Sequence, residues 1–317
     1  MKKRPHPMWK ALAFSGLLFS CANSLPLWES SQYAFYTVWS LRLNEGKSSN
    51  LIDIERIITQ TASAIAVDDG TTANDLHRLN STHDPVDVSE TCYDALEKAV
   101  YYQQETDGYF SPFVGALSSL WNEAIESKTL PEESEVERLK DEALATSLIF
   151  HEDGTVQRVG EGKIDLGAFG KGYCQSLIQD YLKEKGLTHY LINGGSSALL
   201  LGLTATNKHY QVIPEHLEGE SFRTSFSAVS TSAVHRQFAE IGGQIYSHIV
   251  NPFNGSALAH YDMIILTGDD PTELDVYSTA LMSMEEEDIR SIVADKGFGM
   301  VLVKDGEAEY VGPGFEE

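Results

Sequence analysis

"IDLGAFGKGYCQSLIQDYL", residues Ile164–Leu182, places one carboxylate, three glycines and a lysine just ahead of a run with helical periodicity. Strand, glycine turn and helix, in that order, present backbone N–H groups to an anion. Lys171 at the helix entrance adds a point charge suited to phosphate. The stretch is not a Walker A loop, because Gly172 follows the lysine where Ser or Thr is required. Nor is it a dinucleotide fingerprint, since the glycines at 167, 170 and 172 have the wrong spacing. Taken alone, it reads equally well as a phosphate-handling turn and as a structural link.

The flanking sequence sets the fold class. "YAFYTVWSLRLN" (Tyr33–Asn44) is aromatic and roughly alternating, which predicts a strand. Leu51, Ile54, Ile57 and Ile58 mark an amphipathic helix, and a polar loop with a short helix follows. Ser89 is an N-cap signal for a helix through Leu96, Val100 and Tyr101. Residues 150–166 predict a hairpin turning at Asp153–Gly154, and Gly186 stops the helix that carries Lys171. "HYLINGGSSALLLG" is a strand broken by a glycine turn, and short β-like runs continue to a helix at "DDPTELDVYSTALMSM". "GMVLVKDGEAEYVG" predicts a closing hairpin. Runs of strands with segregated helices favour α+β over a doubly wound sheet, with one catalytic domain and no internal repeat.

The N-terminus is a different text. Residues 1–20 join a basic start to an apolar run of about ten residues, too short to span a bilayer, and so predict a signal peptide. "LFSC" (Leu18–Cys21) resembles a bacterial lipobox, with Cys21 lipid-modified after cleavage and the protein anchored to the membrane without spanning it; a plainly secreted protein is the alternative. Residues 21–32 read as a linker and 33–317 as the folded domain. The formal charge is −24; losing Lys2, Lys3, Arg4 and Lys10 leaves 19 basic against 47 acidic residues, or −28. Such a surface disfavours nucleic acid and anionic lipid as partners. With Cys21 lipidated, Cys92 and Cys174 remain, enough for one disulfide but not for a thiolate metal site.

Two more groups carry chemistry. Asp270, Pro271 and Glu273 form a capping-box start, after which Asp275 and Thr279, four residues apart, share one helical face. Two oxygen ligands at that spacing suit a hard cation such as Mg²⁺, although spacing alone reads first as a helix-dipole acid and an ordinary threonine. His248 precedes a Pro-x-x-Gly turn, with Ser230, Thr231 and Ser232 upstream. A histidine there can serve as acid or base or be structural. "GxSxG" is absent, which disfavours an elbow nucleophile.

Together, "ETDGYFSPFVGALSSLW", "IDLGAFGKGY", "LINGGSS", "VSTSA", "HIVNPFNG" and "LDVYSTAL" resemble, in order, the blocks of the ApbE-type FAD:protein FMN transferases, from about residue 33 to the last hairpin. The resemblance implies a single T-fold-related α+β domain with mixed sheets around a central cleft for FAD and Mg²⁺. It implies transfer of FMN from FAD to a Ser or Thr of an acceptor flavoprotein subunit in a membrane or extracytoplasmic redox system, with release of AMP. It further implies that Asp275, Thr279 and the Gly170 carbonyl hold the metal, and that Lys171 and the Gly167 region face the pyrophosphate with Asp165 in support. His248 would be the base, and Asp107, Ser232 and Ile249 would line the flavin pocket. A lipid-anchored place on the outer side of a bacterial membrane accords with that family.

The sequence departs from the family pattern at several points. "FYT" keeps only Thr37 of Met-Gly-Thr, "DDG" near Gly70 replaces Ser-Thr-Tyr, and "FSPF" (Phe110–Phe113) replaces "FDPT". Ser197, Ala233 and Asn254 replace an aspartate, a glycine and a threonine. The metal and phosphate half is kept and the flavin and adenosine half altered. A non-catalytic flavin-binding lipoprotein and a FAD pyrophosphatase giving FMN and AMP are the alternatives.

Overall fold

The run "MIILTG" (Met263–Gly268) shows no polar alternation because every one of its residues is buried. Such a run marks the centre of a sheet covered on both faces. The structure, a computed structural model, describes residues 26–66, 74–195 and 197–316. The leader, Cys21 and the "DDG" loop at Gly70 lie outside the described residues.

The chain opens with β1 (Trp28–Ala34), β2 (Thr37–Leu43), α1 (Ser48–Ile65), α2 (Asp75–Ser81), β3 (Val86–Asp87) and α3 (Glu90–Glu105). Then come α4 (Gly115–Ser127), α5 (Glu133–Leu144), β4 (Ser147–Phe150), β5 (Thr155–Val159) and α6 (Gly170–Glu184). Strands follow as β6 (Tyr190–Gly194), β7 (Ala198–Leu201), β8 (Gln211–Val212), β9 (Phe222–Thr224), β10 (Ala228–Ala233), β11 (Phe238–Ile241), β12 (Gln244–Ser247) and β13 (Met263–Gly268). The chain ends with α7 (Pro271–Leu281), α8 (Glu286–Lys296), β14 (Gly299–Lys304), β15 (Glu307–Val311) and β16 (Phe315–Glu316).

Eight strands form one sheet in the order β1-β2-β6-β7-β10-β13-β14-β15. Strand periodicity divides its two faces. Ile264, Leu266, Met300 and Leu302 join the main core with the helices, while Met263, Ile265, Val301 and Val303 face a smaller core with Val212, Leu217 and Phe222. Helix α7 packs on β10 and β13, and α6 packs on α7 and α1. Both cysteines are free and buried, and burial pushes both thiols up. Among the described residues no helix is long and apolar enough to cross a membrane.

Several expectations change. Tyr33–Asn44 is not one strand but the turn and second arm of a hairpin, with Phe35 and Tyr36 at φ 51° and 58°. Asn-Gly usually fills such a turn, so two aromatics hid it. Residues 28–32, expected as linker, belong to β1. The sheets are not mixed, because every strand pair is antiparallel. Among the described residues the one parallel pairing is the isolated bridge between Val114 and Lys163. That bridge also replaces the strand expected before the glycine turn, since residues 164–166 are irregular. The predicted hairpin at 150–166 is β4–β5, Ser147–Val159. Asp270 caps α7 by accepting from Thr272 and Glu273 N–H, but Glu273 turns to Lys296 at 2.9 Å instead of completing a box. Helices α4, α5 and α8 were not anticipated.

Helices α6 and α7 meet closely at Gly172. A Cβ there would lie 2.4 Å from the Pro271 carbonyl oxygen and 2.5 Å from the Asp275 Cβ, so backbone would have to move. Gly186, by contrast, faces open space at φ +65°. Gly172→Ala should therefore cost about 3 kcal/mol through overpacking. Gly186→Ala should cost about 1 kcal/mol, from backbone conformation alone. Urea unfolding of both variants measures the order; a Gly172→Ala cost at or below that of Gly186→Ala would refute the tight contact.

Candidate active site

The site begins where α6 meets α7. The first N–H groups of a helix have no intrahelical partner, and Phe169 at the N-cap of α6 supplies no side-chain bond. Gly172 N–H instead donates to Asp275 Oδ2 at 2.8 Å, across 103 residues of chain. Asp275 Oδ1 accepts from Ser230 Oγ at 2.9 Å. The side chain is 5% exposed, and burial pushes its carboxyl above the ordinary range, opposed by Lys171, Gly172 N–H and Ser230.

Strand β10 completes this wall through its alternation. Residues 228, 230 and 232 face the helices, so Ser230 meets Asp275, and Ser232 lies 3.0 Å from the hydroxyls of both Ser278 and Thr279. Thr279 Oγ1 also donates to the Asp275 carbonyl at 3.3 Å, as the four-residue spacing allows.

His248 lies just after β12. Its main-chain N–H and ring Nδ1 both approach the Gln237 carbonyl, at 3.2 Å and 3.3 Å. A carbonyl only accepts, so the proton of the neutral ring sits on Nδ1 and Nε2 carries the free lone pair. Burial pushes the ring below its usual pKa, assisted by the charges of Lys171 and Arg236 and opposed by the Gln237 bond and Asp165. The turn after it is tied down: Asn251 Oδ1 accepts from Phe253 N–H at 2.9 Å, and Trp121 Nε1 donates to the Gly255 carbonyl at 2.7 Å.

These walls enclose a cavity of about 340 Å³, within the range of small-molecule sites. Lys171, His248, Asp165, Gly167, Ser232, Ile249, Asp275 and Thr279 all line it. Asp165 accepts from Gly167 N–H at 2.7 Å, and burial pushes its carboxyl up despite that bond and one from Ser118. Lys171 makes no ion pair among the described residues.

Two expected residues are elsewhere. Asp107 does not line the cavity: the turn closing α3 holds it at φ 49° and exposes it, and Tyr109, two residues on, takes the place on the wall. Gly170 opens α6 but is buried beneath Phe35 and Ile65 and is not part of the lining. Asp275 and Thr279 offer a carboxylate and a hydroxyl, both hard oxygen donors. A buried carboxyl whose charged form is disfavoured is relieved by a cation, so this pair fits a small hard dication.

Other lining residues escaped the sequence reading. Phe35 and Tyr36 reach the cavity from the strained hairpin turn. Ser118 and Asn122 reach it from α4, and Gln237 Nε2 donates to Asn122 Oδ1 at 3.0 Å. The signal for α4 was legible: Leu117, Trp121, Ala124 and Ile125 are buried at helical spacing, leaving Val114, Ser118 and Asn122 on a neighbouring face. Arg236, exposed after β10, had no such signal.

Known proteins are similar to this chain in sequence and in fold. The FAD:protein FMN transferase of Escherichia coli K12 is 23% identical over 250 residues, 74% of this chain and 71% of the relative. The FAD:protein FMN transferase of Vibrio cholerae serotype O1 is 23% identical over 257 residues, 77% of each. Among solved structures, the ApbE protein of Thermotoga maritima superposes with a TM-score of 0.77 at 20% identity, covering 90% of this chain and 97% of that one. The apo flavinyl transferase ApbE of Pseudomonas stutzeri gives 0.76 at 17%, covering 91% and 94%. The ApbE family model matches residues 36–302, and the chain belongs to the ApbE family.

Proposed function

We propose that this protein is a Mg²⁺-dependent FAD:protein FMN transferase, which moves FMN from FAD onto a Ser or Thr hydroxyl of an acceptor flavoprotein and releases AMP. The observation that carries this reading is the convergence, in one cavity of an ApbE-family chain, of Lys171, of His248 held towards its neutral form, and of the oxygen face of Asp275 and Thr279. Pyrophosphate cleavage needs positioning and charge neutralisation more than covalent help from the protein.

Mg²⁺ held by Asp275 and Thr279 would supply charge neutralisation at the pyrophosphate when bound. Lys171 orients the pyrophosphate through its ammonium and offsets the charge that develops there. Gly167, beside Asp165 on the cavity wall, leaves room for backbone to approach the phosphates. His248 Nε2 takes the proton of the acceptor hydroxyl as its oxygen attacks phosphorus; the P–O bond to AMP breaks and the electron pair leaves on the AMP phosphate. The Gln237 carbonyl keeps the ring in the tautomer this step requires. The aromatic wall of Phe35, Tyr36 and Tyr109 offers apolar surface for a flat ring. Lipid on Cys21 would hold the enzyme at the outer side of a bacterial membrane, beside membrane redox subunits. A non-catalytic flavin carrier and a FAD pyrophosphatase are the competing readings.

One assay separates these readings. With FAD, Mg²⁺ and a redox-subunit acceptor, AMP should appear together with a fluorescent acceptor band. AMP without labelling would mean hydrolysis, and tight flavin binding without AMP would sink both enzymatic readings.

Removing the buried charge tests the metal pair. Because burial raises the Asp275 pKa above its unfolded value, its stabilising contribution is present below about pH 3.8 and is lost as pH rises through the folded value. At neutral pH, Mg²⁺ at a hundredfold over Kd should add about 2.7 kcal/mol and raise Tm by about 4 °C. Asp275→Asn, which can keep both hydrogen bonds, should lose that rise and the turnover; an undiminished Mg²⁺ shift in the variant would disprove the assignment.

The His248 pKa lies below 6.5, so the base is neutral throughout the physiological range and the acid limb of kcat/KM should fall below pH 6.5. Its depressed value also means that stability is lost as pH drops below about 6.5 towards the folded pKa. His248→Gln should lower kcat about 10²–10⁴-fold. A kcat within threefold of wild type would remove His248 from the reaction.

A further inference from the structure

Across the eight-stranded sheet from the cleft lies a second cavity of about 280 Å³, lined by the opposite faces of β10 and β13 and by the loop after β8. At its rim stand Glu215 and His235, and beside them His216. One carboxylate oxygen and one nitrogen from each imidazole lie within 4.8 Å of one another. The two rings are in contact, with centroids 3.9 Å apart and planes at 56°.

Local backbone holds the three together. His235 sits in the 3₁₀ turn Val234–Arg236 that follows β10, a segment fixed by the Val234 N–H bond to the Asp262 carbonyl at 3.0 Å. His216 takes φ +63°, a conformation that disfavours a side chain by about 1–2 kcal/mol. Glu215 supplies the negative charge and is only loosely engaged, 3.6 Å from Arg236 Nη2.

We propose that Glu215, His216 and His235 form a transition-metal site, taking Zn²⁺ or a similar borderline dication, separate from the oxygen-lined cleft. Two imidazoles and one carboxylate are the donors such ions prefer, whereas Mg²⁺ prefers oxygen alone. Bonds of about 2.0–2.2 Å put ligand atoms roughly 3.4 Å apart, so the group must draw in slightly. Glu215 and His216 are exposed on the loop after β8. Three protein ligands leave one position for water or a substrate group. Arg236 lines both cavities and donates to the Gly195 carbonyl at 3.1 Å, so the metal would stand one side chain from the cleft.

The test uses the tag-free full chain, stripped by chelator and kept in excess Mg²⁺ to occupy any oxygen site. Zn²⁺ binding is followed by calorimetry and Co²⁺ binding by visible absorption. The expected result is one equivalent bound, with the intense d–d bands of four-coordinate Co²⁺. Affinity should fall tenfold or more in His216→Ala and in Glu215→Gln, both exposed, and stay unchanged in Asp275→Asn. No binding by the wild type, a weak octahedral Co²⁺ spectrum, or binding indifferent to both substitutions would overturn the site. The wild-type spectrum decides even if a variant fails to fold.

Discussion

A single hydrogen bond between two helices organises the rest of the molecule. Gly172 N–H is one of the orphan donors at the start of α6, and Asp275, from α7, satisfies it. One carboxylate thus caps a helix distant in sequence and forms part of the cavity wall. The bond requires the backbones of α6 and α7 to approach where no Cβ fits. It also places Asp275 at the positive end of α6, which partly offsets the cost of burying a charge. Lys171 runs against the same rule: a cation in the first turn opposes the helix dipole, and no carboxylate pairs with it among the described residues. Local preference is overridden there, as happens where function sets the residue.

Legibility in the sequence followed the range of the interaction. The Ser89 and Asp270 caps, the Gly186 stop and the β14–β15 hairpin are set by residues a few positions apart, and each was readable. So was the shared face of Asp275 and Thr279. What could not be read was the reason for Gly172, because its partner lies 103 residues away. Spacing left "IDLGAFGKGY" between a structural and a chemical role, and the structure gives both roles to adjacent residues: Gly172 makes the helix contact, and Lys171 enters the cavity. The Phe35–Tyr36 turn failed for a different reason. Its left-handed backbone is enforced by the pairing of β1 with β2, not by its own residues. Asp107 was misplaced because a block motif fixes the backbone path but not which side chain of the turn points inward.

The alternation of β10 explains how an ordinary sheet strand serves two cavities. Ser230 and Ser232 hydrogen-bond towards α7, Val229 and Ala233 fill the smaller core, and Thr231 reaches both cavities. A one-residue slip of this strand would exchange those faces and leave Asp275 without its Ser230 partner. The register is held on both sides, by β7 and by β13, so the strand that reaches both cavities cannot slip without breaking both pairings.

Charge within the cleft runs opposite to charge on the whole. The chain carries −24 overall, yet Lys171 and Arg236 line a cavity whose histidine is held towards its neutral form and whose Asp275 and Asp165 carboxyls are pushed towards theirs. Lys171 acts on two groups in the same direction. Its charge lowers the pKa of Asp275, favouring the carboxylate, and lowers that of His248, disfavouring the imidazolium. One cation therefore promotes both the state of Asp275 that binds positive charge and the state of His248 that accepts a proton. Salt weakens exposed charge over about 8 Å at physiological ionic strength but reaches poorly into a partly buried site, so this local order survives beneath an acidic surface. An anionic ligand is drawn by the cleft itself, not by the protein's long-range field.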